Sequence, residues 1–353
     1  MTKQYLYKRF IFFYPMNTLN DQEKIYYYSL DSEITPKQLQ EKETVENDPE
    51  KREKLIKWMK KYELQGITEH SDLYPVKFKI LPWNPYLFYY QGDLSLLSQP
   101  ILWIVGPRQM SPYAEQLLEE LFPSLADKKV VTVSGLAKGI DQKCHKLSIK
   151  YHLPTIAVLG WGFRKYLEGE ERYLLQEIIE NGGCVISEFK LNFEPTNRSF
   201  PQRNRLIAGL SDTLFIPEAK ESSWSLITVD FALKYKKKIF VAPNQFFAQN
   251  GRGSNLLLAQ RKAEMLLNFD QISSLFPQKK INSEEKLLKK EEKNLTENEV
   301  QIIKLLQQYE NKEYTLWIDK VWFPQAEVLS LLTMLEIKGL IYQSSPGIYE
   351  VKG

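Results

Sequence analysis

The stretch richest in chemistry is Phe200-Pro201-Gln202-Arg203-Asn204-Arg205, set directly before the apolar run Leu206 to Leu210. That run reads as a short helix feeding a strand from Thr213 to Pro217. Pro201 suits the first helical turn, where no backbone donor is lost. Arg203 and Arg205 then sit in that turn, close to free backbone N–H groups that favour anions. The residues alone leave two readings open, a phosphate site or a solvated basic helix start. Gly106-Pro107-Arg108 raises the same question after an earlier strand: Gly106 lets backbone approach a ligand and Arg108 reaches phosphate. In Ser134-Gly135-Leu136-Ala137-Lys138-Gly139, a hydroxyl, two glycines and an ammonium form a donor-lined cradle at a helix start. Its spacing fits neither a dinucleotide fingerprint nor a Walker A loop, so tight-turn glycines remain the competing reading. Ser222, Ser223 and Ser225 precede another helix as caps or phosphate donors.

Catalytic machinery is harder to find. Asp141, in the first turn after Gly139, and Glu218, at a strand end, are the best acid–base candidates. A structural role competes for each, as a cap or as a partner of Arg203 or Arg205. His145 falls on a helix and suits a packed histidine better than a base. Cys144 and Cys184 are the two cysteines among 353 residues, and with the three histidines they show no metal-ligand spacing. Neither a disulfide framework, a metal site nor a cofactor motif is expected.

The elements that position these residues follow a repeating pattern. Ile101–Val105, Val130–Val133, Thr155–Leu159, Cys184–Ser187, Thr213–Pro217 and Lys238–Ala242 are short apolar strands, with a weaker one at 263–267, and helices separate them. Uninterrupted apolar strands alternating with helices predict a mostly parallel sheet covered on both faces, an α/β fold. Right-handed crossovers bring the loops after these strands to one edge, where open α/β folds bind ligands. Before this pattern, residues 1–65 mix aromatic clusters with charged helical stretches, a small helical domain. After a core spanning 66–272, a charged linker at 273–294 leads to 295–353. There a helix, a short segment, a helix and a hairpin suggest a winged-helix module.

The chain is 43% hydrophobic and 26% charged, ordinary for a globular protein, and its net charge of +3 announces no partner. Distribution says more. Residues 66–272 hold 24 Lys/Arg against 21 Asp/Glu, and residues 295–353 hold 5 against 8. An anionic partner therefore meets the middle of the chain, and the acidic end suits protein contact or packing better than duplex DNA. The opening apolar run, Phe10–Tyr14, is too short for a signal peptide, and no run of about 20 apolar residues spans a membrane. A cytoplasmic location is expected.

Taken in order, these segments resemble the DprA/Smf family, the DNA-processing proteins of bacterial transformation. The resemblance runs from Gly66-Ile67 and Tyr74-Pro75 through Gly92-Asp93-Leu94, Val105 to Arg108 and Ser134 to Asp141. It continues through Ala157 to Gly160, Ser187-Glu188, Phe200 to Ser211, Glu218-Ala219, Ser225 to Thr228 and Phe240 to Pro243, and Leu335 to Ile341 is similar to the family's winged-helix end. It implies an extended Rossmann-like domain that binds single-stranded DNA without cutting it. It also implies a homodimer that protects incoming DNA and loads a RecA-type recombinase onto it, with no membrane association. The DNA pocket carried over by motif position is Gly106, Arg108, Ser134, Gly135, Lys138, Gly139, Arg203, Asn204 and Arg205. Cationic contacts of this kind track the backbone, making binding salt-dependent and largely blind to sequence.

The chain departs from the family pattern at several points. Pro107 replaces a serine, removing a hydroxyl and an N–H. Trp224 puts a ring between two serines, and Asn244 and Lys262-Ala263 replace glycine-containing pairs. A regulatory dimer that has lost DNA binding is therefore one alternative. The other is a nucleoside-phosphate hydrolase on a related fold, whose Pro-Gly-Gly-x-Gly-Thr loop does not occur here.

Overall fold

In the computed structural model of the chain, residues 12–15, 20–30, 44–221, 225–279, 296–308 and 324–351 are described. The chain divides into two compact units between Gln278 and Lys279.

The first unit begins with β1 (Phe12–Pro15), α1 (Asp21–Leu30), β2 (Thr44–Asn47) and α2 (Pro49–Lys61). β3 (Gln65–Thr68), α3 (Val76–Lys79) and β4 (Leu87–Gly92) lead into the repeat. The repeat comprises β5 (Ile101–Ile104), α4 (Pro112–Leu125), β6 (Val131–Ser134), α5 (Ile140–Lys150), β7 (Thr155–Val158), α6 (Phe163–Glu168), α7 (Arg172–Glu180) and β8 (Cys184–Ser187). It ends with α8 (Ser199–Leu210), β9 (Thr213–Ile216), α9 (Ser225–Lys234), β10 (Lys238–Val241), α10 (Arg252–Ala259), β11 (Glu264–Met265) and α11 (Asp270–Ser273).

β3 to β11 form one nine-stranded sheet in the order β11-β10-β9-β5-β6-β7-β8-β4-β3. β11 to β8 run parallel, and β4 and β3 add antiparallel at the β8 edge. The mostly parallel α/β fold expected from sequence is what the chain adopts. The antiparallel β3 was not anticipated, because its Gln65-Gly66-Ile67-Thr68 carries no apolar run and only its last two residues are buried.

Strand residues alternate between two cores, as period-2 geometry requires. Ile101 and Trp103 join Leu206, Leu210 and Val229 on one face. Leu102 and Ile104 join Leu118, Phe122, Ile140 and Cys144 on the other. Ile25, Tyr28 and Met59 pack with Tyr89, Ala157 and Val185, so the described helices of residues 1–65 share a core with the sheet.

From β5 the chain steps through β6, β7 and β8 in one direction. It then returns over the sheet to place β9 on the other side of β5. The connections of β5 and β9 leave in opposite directions, which opens a crevice at their carboxyl ends. The second unit holds α12 (Glu297–Gln308), α13 (Gln325–Ile337) and an antiparallel hairpin of β12 (Ile341–Ser345) and β13 (Ile348–Val351). Its own core contains Ile302, Leu306, Leu332 and Leu335. The segment Trp317–Trp322 lies outside the described residues. Among the described residues no helix is long and apolar enough to cross a membrane.

Candidate nucleic-acid interface

The helix that carries the two arginines starts earlier than its sequence suggests. At its start Thr196 and Ser199 bond one another, Ser199 N–H donating to Thr196 Oγ1 at 3.2 Å and Thr196 N–H to Ser199 Oγ at 3.1 Å. α8 opens at Ser199, with Arg198 as its N-cap, which keeps Pro201 in the first turn but moves Arg203 and Arg205 into the second, beyond the free N–H groups. Two positions apart on a helix is about 200° of rotation, so the two side chains leave in opposite directions.

Arg203 turns into the protein and is only 5% exposed. Its Nη1 donates to Gly135 O at 2.6 Å and to Val158 O, and its Nε donates to Asn204 Oδ1 at 2.9 Å. It thus ties α8 to the carboxyl ends of β6 and β7. Arg205 pairs with buried Glu188, not with the pocket's Glu218. Burial pushes the Glu188 carboxyl up to about 7 despite Arg205 beside it. The expected choice for these arginines, phosphate or Glu218, is corrected on its second arm. Glu218 accepts from Ser111 N–H at 2.8 Å and Ser111 Oγ at 2.6 Å, fastening the loop after β5 to the end of β9.

The loop after β6 curls around a carboxylate of its own chain. Asp141 is buried in the first turn of α5 and accepts from Ala137 N–H at 3.4 Å. Burial pushes its carboxyl up, while Arg203, the Ser134 hydroxyl and the Ala137 and Gly135 N–H groups pull it down. Ser134 itself is buried and donates to Ile104 O at 2.7 Å. A Cβ on Gly135 would meet the Arg203 guanidinium at 2.5 Å, and one on Gly139 would meet Arg108 O and Pro107 O at 2.5 Å. Gly139 also holds φ +88°, in the left-handed region. These glycines are required by close packing of protein against protein.

What faces outward is a smaller set. A cavity of about 450 Å³ opens at the β5/β9 crevice, lined by Gly106, Arg108, Asp141, Phe200, Arg203 and Lys220 among others. Asn204 also lines it and donates to Thr228 Oγ1 at 3.1 Å. Arg108 is exposed and its guanidinium lies 5.7 Å above the Phe200 ring, a cation–π contact. Lys138 is exposed beside Ala137, another lining residue. Of the nine expected site residues, Gly106, Arg108, Arg203 and Asn204 meet at the cavity. Gly135, Gly139 and Ser134 build its wall from behind, Lys138 stands at its rim, and Arg205 points elsewhere. Thr228, in the Ser225 to Thr228 segment of the resemblance, lines the cavity, whereas Lys220 was missed although it follows Glu218 by two positions at the end of a strand. Ser222, Ser223 and Trp224 lie outside the described residues.

His145 is buried, its Nδ1 2.7 Å from Thr155 Oγ1 within a network with Thr132 and Ser148. Burial pushes its imidazole down to about 3, and the charge of Arg203 adds to this. A histidine so placed stays neutral and packed, as expected from its helix.

An open, mostly parallel sheet with a cavity at its switch point defines a Rossmann-like α/β protein. The chain belongs to the family described as DNA recombination-mediator protein A, which matches residues 65–277. It is 32% identical to Protein Smf of Escherichia coli (strain K12) over 208 residues, 59% of this chain and 56% of that protein. The chain thus spans little more than half of that relative. It is also 32% identical to DNA processing protein DprA of Bacillus subtilis (strain 168) over 232 residues, 65% of this chain and 77% of that one. Two solved structures are similar. DNA processing protein A from Helicobacter pylori, described with a unique single-stranded DNA binding mode, superposes at TM-score 0.54 with 30% identity, covering 61% of this chain and 95% of that one. DprA from Streptococcus pneumoniae gives 0.57 with 27% identity, covering 74% and 95%.

Proposed function

We propose that this chain is a non-catalytic recombination mediator that binds single-stranded DNA at the β5/β9 crevice. One observation carries the reading. Arg108 lines the cavity and Lys138 follows the lining residue Ala137 on the neighbouring loop, both are exposed, and among the described residues neither has a carboxylate partner. Two such cations, one resting on an aromatic ring, suit a phosphate backbone with bases alongside. The single-stranded DNA binding of the Helicobacter pylori relative supports the same reading. Binding in place of turnover is supported by the fate of the acid–base candidates. Asp141 is taken up by its own loop, Glu218 by Ser111 and His145 by Thr155. In this reading Arg203 contributes charge and rigidity from inside the wall. Gly106, Gly135, Gly139 and Ser134 shape the wall, and Arg205 holds α8 to Glu188.

The bound strand is protected and passed to a RecA-type recombinase, and the working unit is a homodimer. The DNA-binding core runs from residue 66 to Gln278, since Phe276 is buried in the core of the first unit. The linker expected from residue 273 cannot begin before Lys279, and 295–353 is a winged-helix module that contacts protein. The helices and hairpin of the second unit support this last assignment.

The test is anisotropy titration with single- and double-stranded oligonucleotides over a range of salt. Single strands should bind more tightly. Arg108→Ala and Lys138→Ala should each weaken that binding and flatten the log–log salt slope by about 0.7, the release expected per single-strand phosphate. Folding stability should change by less than about 0.5 kcal/mol for these exposed side chains. A folded protein that binds no single strand, or that releases free base from a nucleoside monophosphate, overturns the proposal.

A further inference from the structure

The loop leaving β10 carries two phenylalanines that the cavity does not use. Phe246 and Phe247 are 83% and 91% exposed. Their rings meet edge to face, centroids 5.2 Å apart at 87°, which leaves flat faces of both open to solvent. Gln245, Gln249 and Asn250 flank them. The pair is an isolated aromatic tip in polar surroundings, far short of the roughly 800 Å² per partner that a stable protein interface needs.

The tip has a firm root. Asn244 N–H donates to Asn255 Oδ1, and Asn255 Nδ2 donates to Asn244 O, both at 3.0 Å. Tyr113 OH donates to Pro243 O at 2.8 Å, and Asn250 Nδ2 to Gln109 O at 3.4 Å. These bonds tie the β10 loop to the segment after β5 that carries Arg108. β10, β9 and β5 are consecutive in the sheet, so the carboxyl ends of β10 and β5 lie about 10 Å apart, within reach of a short stretch of extended strand. Between them Lys220 lines the cavity, while Arg252 at the start of α10 pairs with Glu221 at 3.7 Å.

We propose that Phe246 and Phe247 are a base-stacking platform for the same single strand whose phosphates Arg108 and Lys138 hold. The inference rests on the single-stranded DNA reading above. Aromatic faces beside a cationic track are how single strands are held without regard to sequence, because every base offers a π-face. The strand would enter the crevice along β5 and β9 and leave over the β10 loop.

The experiment compares labelled thymidine oligonucleotides with abasic strands of equal length, using wild type, Arg108→Ala and the double variant Phe246→Ala/Phe247→Ala. Melting curves and sedimentation are recorded alongside. The double variant should keep its melting temperature, lose about 10-fold in affinity for the base-bearing strand, lose nothing on the abasic strand and retain the wild-type salt slope. Arg108→Ala should weaken both strands and lower the slope. Unchanged affinity in the double variant, with wild type binding and Arg108→Ala weakened, sinks the platform and leaves the DNA-binding reading intact. Equal losses on both strands also sink it, because the loop would then act on phosphates. A shift from dimer to monomer would give the tip to a second copy of the chain and overturn the platform. A wild type that binds neither strand fails the underlying reading, and the platform with it.

Discussion

Arg203→Ala separates a cation that touches DNA from one that builds the site. The guanidinium donates to Gly135 O, Val158 O and Asn204 Oδ1, and it stands beside buried Asp141. Truncation leaves two buried carbonyls without that donor, at about 1–3 kcal/mol each. It also removes the cation that draws the Asp141 carboxyl down. Together these amount to about 3–5 kcal/mol, in line with removal of one member of a buried charged pair. That is a large share of the roughly 5–15 kcal/mol that holds a typical domain together. Urea denaturation followed by tryptophan fluorescence and circular dichroism should show the midpoint falling by about 1 M or more with the slope retained. Gly135→Ala supplies the second corner of a cycle, since its new Cβ would press on the same guanidinium at 2.5 Å. Most of its penalty should vanish in the Arg203→Ala background, giving a coupling above about 1 kcal/mol. Arg203→Ala with wild-type stability and single-strand binding lost to the same degree as Arg108→Ala would refute the reasoning. The arginine would then be a phosphate contact after all.

Other outcomes follow from buried groups and from one turn. Glu188 has a folded pKa raised from 4.5 to about 7, so the folded state holds its proton more tightly. Its contribution is fully present below about 4.5 and is lost as pH rises to about 7, and Glu188→Gln should remove that slope from the stability–pH curve. His145 acts in the opposite sense. Its folded pKa is depressed from 6.5 to about 3, so stability present above 6.5 is lost as pH falls toward 3, and His145→Asn should flatten this acid limb. Nitrogen chemical shifts should report a neutral His145 imidazole at pH 5. Gly139→Ala forces a side chain into φ +88° and against the Pro107 and Arg108 carbonyls. It should cost about 2 kcal/mol or more by denaturation and weaken single-strand binding by displacing Arg108.

The sheet was legible because Ile101–Ile104, Val131–Ser134 and Thr213–Ile216 are buried along their whole length, and a strand covered on both faces needs an unbroken run of apolar or small residues. Strand order then fixed which loops share an edge, so Arg108, Phe200 and Asn204 could be brought together from sequence. Side-chain direction could not. Whether Arg203 and Arg205 meet solvent depends on which side of α8 packs on the sheet. Both sides carry a buried partner, the Gly135 and Val158 carbonyls for one and Glu188 for the other, that no local pattern announces. The glycines misled in a similar way. A glycine that lets a ligand approach and one that lets Arg203 approach look alike until the guanidinium is seen lying over Gly135. β3 escaped because a short edge strand carrying a glycine has no periodicity to detect.

The edges of the long sheet bear on how copies of this chain can meet. β11 ends one side with Glu264 and Met265 alone, and β3 ends the other with four residues, one of them Gly66 pressed against Ile25. Pairing between sheets of two molecules needs a run of unsatisfied backbone donors and acceptors, and edges this short offer almost none. The two ends of this sheet therefore give another copy little backbone to pair with, and the buried strands inside remain out of reach of the cross-strand aggregation that longer open edges invite.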